Sequence, residues 1–395
     1  MTLRPPAGEA HDERVEVAEI LRRARDEGHI DTHGLTRDRA KVLHQICACR
    51  TAQLGGHADV CMDCGVVSYS YNSCRNRHCP RCQWSQQQEW IAGRIDRLLD
   101  THYFHVVFTL PAELRTLAMR NQRLLYTLLF RAASRTLLEL GEERLGATIG
   151  ITAVLHTWAR DLTFHPHIHC IVTGGGLSAD CARWRSAHPN YLFPQVQVSK
   201  RFRAKFLAGL HKLFDNDDLE GITASELDAL VGCLPRDWGV YLERSRGGPE
   251  TVIKYLGAYT HRVAISDSRI VRVTSTHVTF ATRDGETVTV SIGEFARRFL
   301  LHVLPPRFMK IRHYGLLASA NSKTKWVLAH QLRPYTSESS DEPEAGDANL
   351  EPAQPTCEVC GSHRVWRMHL QPWPTSIKPL PARGPPAQLQ LGGTR

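Results

Sequence analysis

Thr163-Phe164-His165-Pro166-His167-Ile168-His169-Cys170-Ile171-Val172 sets three imidazoles at alternate positions in an otherwise apolar, β-branched run. Successive side chains of a strand point to opposite faces, so His165, His167 and His169 project together while Phe164, Pro166, Ile168 and Cys170 point the other way. One face is core and the other is free for chemistry. A single histidine fits the wet side of an edge strand without further meaning, but three in register above an apolar face point to ligation. Neutral imidazole is the commonest protein metal ligand, so a pair on one strand can fix a divalent ion without help from a flexible loop.

The flanking segments read as the rest of a mixed domain. Residues 147–158 form a second strand, and the short connection from Ala159 to Thr163 makes it pair antiparallel with the histidine strand. Gly174-Gly175-Gly176 ends that strand in a turn or a close backbone approach; without a following lysine and helix it is no phosphate cradle. Upstream, residues 103–111 are a buried strand closed by proline, and 113–140 a leucine-faced helix. Downstream, residues 199–214 pattern as a basic amphipathic helix, 270–273, 277–282 and 287–291 as strands with a hairpin at Asp284-Gly285, and 294–302 as a helix. The fold class expected is α+β. Near the N-terminus, 15–25 and 37–46 pattern as short helices.

The cysteines gather in one region. Cys61-x-x-Cys64 and Cys79-x-x-Cys82 are two knuckles separated by 14 residues, the spacing of a four-thiolate zinc ribbon. Cys49, His57, Cys74 and His78 make a second set of four donors, so one or two structural zinc ions are expected, with the pairing of ligands left open by spacing. Arg75, Arg77 and Arg81 interleave with these donors, a pattern suited to phosphate contact. A further half-knuckle, Cys357-x-x-Cys360, follows an acidic stretch and could be completed by His363 and His369.

The 395 residues exceed one hydrophobic core, and the net charge of +9 suits a polyanionic partner. Residues 337–354 carry Glu338, Asp341, Glu342, Glu344, Asp347 and Glu351 without a lysine or arginine, so the remainder is more basic than the total. No long apolar span or signal-type N-terminus is present, which argues against a membrane partner and for the cytoplasm, where the 12 cysteines would be thiols or metal ligands.

Finally, Gly248-Pro249-Glu250 starts a helix that carries Tyr255 and Tyr259 on one face, one turn apart, with Lys254, His261 and Arg262 nearby. A phenol titrates near pH 10 in water, about three units too high for a good nucleophile at neutral pH. Basic neighbours that favour phenolate, and a divalent ion that polarises a phosphodiester, would together make one.

His167-Ile168-His169 followed by a tyrosine helix resembles the HUH endonuclease superfamily. Within it the chain is similar to the two-tyrosine rolling-circle transposases of bacterial insertion sequences, through Tyr71-Asn-Ser-Cys-Arg-Asn-Arg-His-Cys-Pro80, Phe164-His-Pro-His-Ile-His-Cys-Ile-Val172 and Tyr255-Leu-Gly-Ala-Tyr-Thr-His-Arg-Val-Ala-Ile265. The similarity runs from about Arg25 to Leu317. It implies a nuclease domain with a central antiparallel sheet flanked by helices, preceded by a small zinc-binding domain, with Mg²⁺ or Mn²⁺ as catalytic ion. Single-stranded element ends and target DNA would be the substrate, met at the bacterial nucleoid. By the same resemblance His167 and His169 are metal ligands, and Tyr255 and Tyr259 the alternating nucleophiles. His165 is on the right face for the third ligand, and His156 or a distant acidic or amide residue is an alternative.

The domains expected are 1–100 for the helices and zinc module, 101–335 for the nuclease, 336–355 for an acidic linker and 356–395 for the half-knuckle and tail. Two rival readings are a non-catalytic zinc DNA-binding protein and, because His165-Pro-His-Ile-His also fits it, a histidine-triad nucleotide hydrolase.

Overall fold

The computed structural model describes residues 15–82, 98–245, 264–282, 285–332 and 356–372, and the chain forms two compact units. Its strands, in chain order, are β1 (Gly56–Cys61), β2 (Val67–Tyr71), β3 (Tyr103–Thr109), β4 (Ala147–Trp158), β5 (Phe164–Ser178), β6 (Trp184–Ser186), β7 (Val240–Arg244), β8 (Ile270–Val273), β9 (His277–Ala281), β10 (Thr287–Ser291), β11 (Ile311–Gly315) and β12 (Val365–Leu370).

The larger unit, residues 1–47 and 75–345, is built on an antiparallel sheet in the order β11-β4-β5-β3-β7, with β6 pairing β5. β4 and β5 are adjacent and antiparallel, as the short connection between them requires. One face is packed. Phe104, Val106 and Phe108 of β3, Ile151, Ala153 and Leu155 of β4, and Ile168, Cys170 and Val172 of β5 are all buried in one core. The helix Gln122–Leu145 covers this face with Leu125, Leu129, Phe130, Ala133, Leu137 and Leu140. Each such side chain stabilises the fold by roughly 1.5–3 kcal/mol on burial, so this layer holds the sheet against the helix.

The leucine-rich segment forms two helices, Arg115–Arg120 and Gln122–Leu145, rather than one. They break at buried Asn121, whose amide donates to the carbonyls of Leu117 and Glu220. The basic helix, Gln195–Asp215, buries Val198, Phe202, Phe206 and Leu210. On its outer side Arg201 pairs with Glu143 and Lys205 with Glu139, which takes those two cations away from any polyanion. β8, β9 and β10 form a separate three-stranded sheet, covered by the helix Ile292–Leu301 through a Phe280–Phe295 edge contact.

Gly174, Gly175 and Gly176 do not end β5; the strand runs on to Ser178. Of the two expectations for this run, close approach is the one realised. A Cβ on Gly176 would sit 2.2 Å from the carbonyl oxygen of Thr148 on β4, and one on Gly174 2.3 Å from the His102 ring. Only glycine lets the β4 backbone approach so near.

The smaller unit, residues 48–74 and 346–395, is a three-stranded sheet in the order β12-β1-β2. It departs from the expected division, in which 1–100 and 356–395 stand apart. β12 pairs antiparallel with β1 from Gly56↔Leu370 to Cys61↔Val365, and Arg367 grips Asp59 across that register through two contacts of 2.7 Å. Backbone pairing outweighs sequence distance here, so the C-terminal half-knuckle belongs to the zinc module. The N-terminal helix Val17–Asp26 instead belongs to the larger unit, where its first N–H is capped by the Asp267 carboxylate.

Candidate metal centre

The face of the large sheet opposite the helix Gln122–Leu145 carries a row of largely buried imidazoles from three adjacent strands. β5 presents His165, His167 and His169 on that face, as the period of two requires. β4 places His156 directly opposite His167 in the antiparallel register. The rings of His156 and His169 lie 4.5 Å apart by centroid, and those of His167 and His169 4.9 Å. One nitrogen from each of His156, His167 and His169 falls within 4.8 Å of the other two.

Hydrogen bonds decide which nitrogen each ring can offer. His167 Nδ1 sits 2.7 Å from the carbonyl oxygen of His165, and a carbonyl can only accept, so Nδ1 carries the proton and Nε2 keeps its lone pair. Burial also holds the His167 imidazole neutral, lowering its pKa to about 4. His169 Nδ1 meets His105 Nε2 at 2.8 Å, with the two rings stacked almost parallel. With the proton on His169 Nδ1, its Nε2 likewise remains a donor to a metal. His105 is in turn opposite Glu243 in the β3–β7 register, and Tyr241 donates its hydroxyl to that carboxylate. Burial lowers the His105 pKa to about 4, and Glu243 opposes the shift.

His165 is not part of the group, contrary to its expected place as third ligand. The Arg115 guanidinium donates to His165 Nδ1 at 2.8 Å. A guanidinium has no lone pair to accept with, so the His165 proton is on Nε2 and neither nitrogen is offered to an ion. Burial and the Arg115 charge both lower its pKa. His156 takes the third position; it is 3 % exposed and stacks on Trp158 at 4.6 Å. The antiparallel hairpin carried the signal for His156. His105, which the sequence reading passed over, lies in an apolar strand whose partner cannot be named until the sheet order is known.

Tyr255 and Tyr259, and the helix expected to carry them, lie outside the described residues. The zinc-module donors are described, and several have other partners than expected. Cys61 and Cys64 meet Cys357 and Cys360, with Cys61 Sγ to Cys360 Sγ 3.6 Å and Cys64 Sγ to Cys357 Sγ 3.7 Å. Thiols therefore complete the C-terminal half-knuckle in place of His363 and His369; His363 Nδ1 meets Thr356, and His369 pairs with His57 in the β1–β12 register. Cys61 and Cys64 thus find their partners without Cys79 and Cys82. In the smaller unit the N–H of Cys74 donates to Cys49 Sγ at 3.4 Å; in the larger, Cys79 and Cys82 are buried.

Neither histidine of the second expected set joins a thiol group. His57 stands on β1 with Nε2 3.8 Å from the Asp59 carboxylate. His78 accepts the Leu304 N–H on Nε2 and faces Asn76 Oδ1 with Nδ1, so both ring nitrogens are in use. Two of the interleaved arginines are also occupied internally: Arg77 donates to the carbonyls of Pro305 and Phe308, and Arg81 pairs with Glu16 at 2.5 Å. Among the described residues no helix is long and apolar enough to cross a membrane.

Comparison with known proteins places this geometry. Residues 150–325, which include His156, His167, His169 and the tyrosine segment, match the family model Y2_Tnp, described as "Putative transposase". Residues 20–110 match the Zn_Tnp_IS91 model, "Transposase zinc-binding domain". "Putative transposase y4qJ" of Sinorhizobium fredii is 41% identical over 333 residues, spanning 80% of this chain and 84% of the relative. "Transposase for insertion sequence element IS801" of Pseudomonas savastanoi pv. phaseolicola is 30% identical, covering 74% and 73% of the two chains. A solved structure, "Conjugative Relaxase Trwc In Complex With Orit DNA. Metal-Bound Structure", overlays 68% of this chain and 96% of its own at 14% identity and a TM-score of 0.25. With two family models in this order and relatives matched over most of their length, the chain belongs to the IS91/IS801 family of insertion-sequence transposases.

Proposed function

We propose that this transposase moves its element by rolling-circle-type nicking and rejoining of single DNA strands, with Tyr255 and Tyr259 as nucleophiles and His156, His167 and His169 as holders of Mg²⁺ or Mn²⁺. The observation that carries the reading is the histidine trio: three imidazoles converge on one patch of the sheet, and His167 is held in the tautomer that leaves Nε2 unprotonated. An ion bound there supplies Lewis-acid polarisation of the scissile phosphate and a template for it.

The protein side of the reaction follows from phosphodiester chemistry. The phenol oxygen of one tyrosine attacks phosphorus, the bond from phosphorus to the 3′ oxygen breaks, and the phenol proton ends on that oxygen. The strand is left with a free 3′-hydroxyl and a 5′-phosphotyrosine. Because the ester bond is exchanged rather than hydrolysed, a 3′-hydroxyl of another strand can later attack the same phosphorus and release the tyrosine without ATP. Two tyrosines four positions apart in the sequence would allow donor and target strands to be held at once. Zinc in the N-terminal module is structural in this reading, since thiolates fill its coordination shell. The substrate is single-stranded element-end and target DNA in the bacterial cytoplasm.

The test is a covalent-adduct assay. Full-length protein incubated with a single-stranded element-end oligonucleotide and Mg²⁺ is expected to give a species that survives denaturing electrophoresis. Tyr255→Phe/Tyr259→Phe and His156→Ala should each abolish it. A wild-type protein that forms no adduct, an adduct that persists in the double phenylalanine variant, or nucleotide trapped on His167 would each overturn the proposal.

A further inference from the structure

Cys357 and Cys360 lie beyond both family models, which end at 110 and 325, yet the structure seats them against Cys61 and Cys64. The two pairs are built alike. Each is a Cys-x-x-Cys-Gly turn: Cys61-Met-Asp-Cys64-Gly65 and Cys357-Glu-Val-Cys360-Gly361. In each the glycine is left-handed, at φ 72° in Gly65 and 73° in Gly361. In each the glycine N–H closes back on the first cysteine carbonyl, at 3.0 and 2.8 Å. The first cysteine N–H then meets the carbonyl five residues on, Cys61 to Val66 at 2.9 Å and Cys357 to Ser362 at 2.8 Å. One turn geometry is thus repeated in two segments nearly 300 residues apart, and the two are packed face to face with their sulfurs inward.

We propose that Cys61, Cys64, Cys357 and Cys360 form a tetrahedral zinc site that fastens the C-terminal strand β12 to the zinc module. A Zn–S bond of about 2.3 Å in a tetrahedron sets the sulfurs roughly 3.8 Å apart. The observed cross-knuckle distances of 3.6 and 3.7 Å match that edge. They are far longer than the ~2.05 Å of a disulfide. The shell is complete without water, so the ion is structural. The surrounding contacts point to the same join: Asp63, inside the first knuckle, accepts from Arg364 at 2.7 Å and from Ser362 at 2.5 Å, both just after the second. Metal binding and the docking of β12 are therefore one event, because the site exists only when both segments are in place. This inference is independent of the catalytic reading.

Zinc content of the full-length protein tests it. Cys357→Ser/Cys360→Ser and Cys61→Ser/Cys64→Ser should each hold one zinc fewer per chain than the parent, and the quadruple variant no fewer than either double variant. Unchanged zinc in Cys357→Ser/Cys360→Ser, or a loss of two ions in the quadruple variant, overturns the site. Alkylation of the unmutated protein, mapped by mass spectrometry, covers the case in which a variant fails to fold. In zinc-replete protein Cys357 and Cys360 should react on the order of tenfold or more slowly than exposed Cys233, and a chelator should release all four site thiols together. Rapid labelling of Cys357 and Cys360 before chelation, or a Cys61–Cys360 or Cys64–Cys357 disulfide in the native protein, would overturn it equally.

Discussion

His105 shows how much of the proposed metal centre lies outside its candidate ligands. Its Nε2 contacts His169 Nδ1 at 2.8 Å, and the stacked rings leave His169 little freedom to turn. Partners of this kind fix the tautomer and aim of a ligand, and their loss commonly weakens metal binding 10- to 100-fold. His105→Ala is accordingly expected to raise the dissociation constant for Mn²⁺ about tenfold or more, read by titration of the full-length protein followed by electron paramagnetic resonance. His105→Gln, which retains an acceptor, should recover part of the affinity. Equal binding by wild type and His105→Ala would remove His105 from the centre. Arg115 works in the opposite sense on His165: by occupying Nδ1 it turns a potential ligand into a fixed wall of the site.

At the scale of elements, the centre depends on the register between β4 and β5. His156 reaches the trio because it faces His167 directly, and the same ladder continues through Ile149↔Gly176 and Thr148↔Leu177. Gly176 lets the far end of that ladder close, since a methyl group there would collide with backbone rather than with a side chain able to move. Gly176→Ala should therefore destabilise the larger unit by on the order of 3 kcal/mol, seen as a lower urea midpoint. An unchanged midpoint would mean that the β4 backbone can yield without cost. The helix Gln122–Leu145 matters to the same register from below: by burying the apolar face of β3, β4 and β5 it determines which face is left to carry the imidazoles.

For the whole molecule, charge and chain connectivity are the informative features. A net charge of +9, with an acidic stretch at 337–354 that concentrates the positive charge elsewhere, predicts that binding to single-stranded DNA is electrostatic. Each phosphate neutralised should contribute about −0.7 to the slope of log K against log salt concentration. Affinity measured by fluorescence anisotropy is expected to fall by on the order of tenfold or more between 50 and 200 mM salt. A flat profile would argue against backbone contacts as the source of affinity. Arg77, Arg81, Arg201 and Lys205 should contribute little to that slope, because each is engaged by the protein itself. The C-terminal segment, which by sequence order would be a separate appendage, is a strand of the N-terminal zinc module.

Local pattern was sufficient for β3, β4, β5, β8, β9 and β10 and for the face on which the β5 histidines stand. Alternation along Phe164–Val172 placed His165, His167 and His169 on one side of β5, and a five-residue connection made β4 its antiparallel neighbour, because both properties depend only on backbone geometry over a few residues. Motif order was likewise enough to identify the transposase family. Contacts between distant segments were decided by the fold. The choice of His156 over His165 turned on where Arg115 points, and the support from His105 on β3 lying beside β5. The pairing of Cys61 and Cys64 with Cys357 and Cys360 turned on β12 joining β1. Knuckle spacing constrains the two sulfurs within a turn and says nothing of which second turn will face them; that is a property of the folded chain alone.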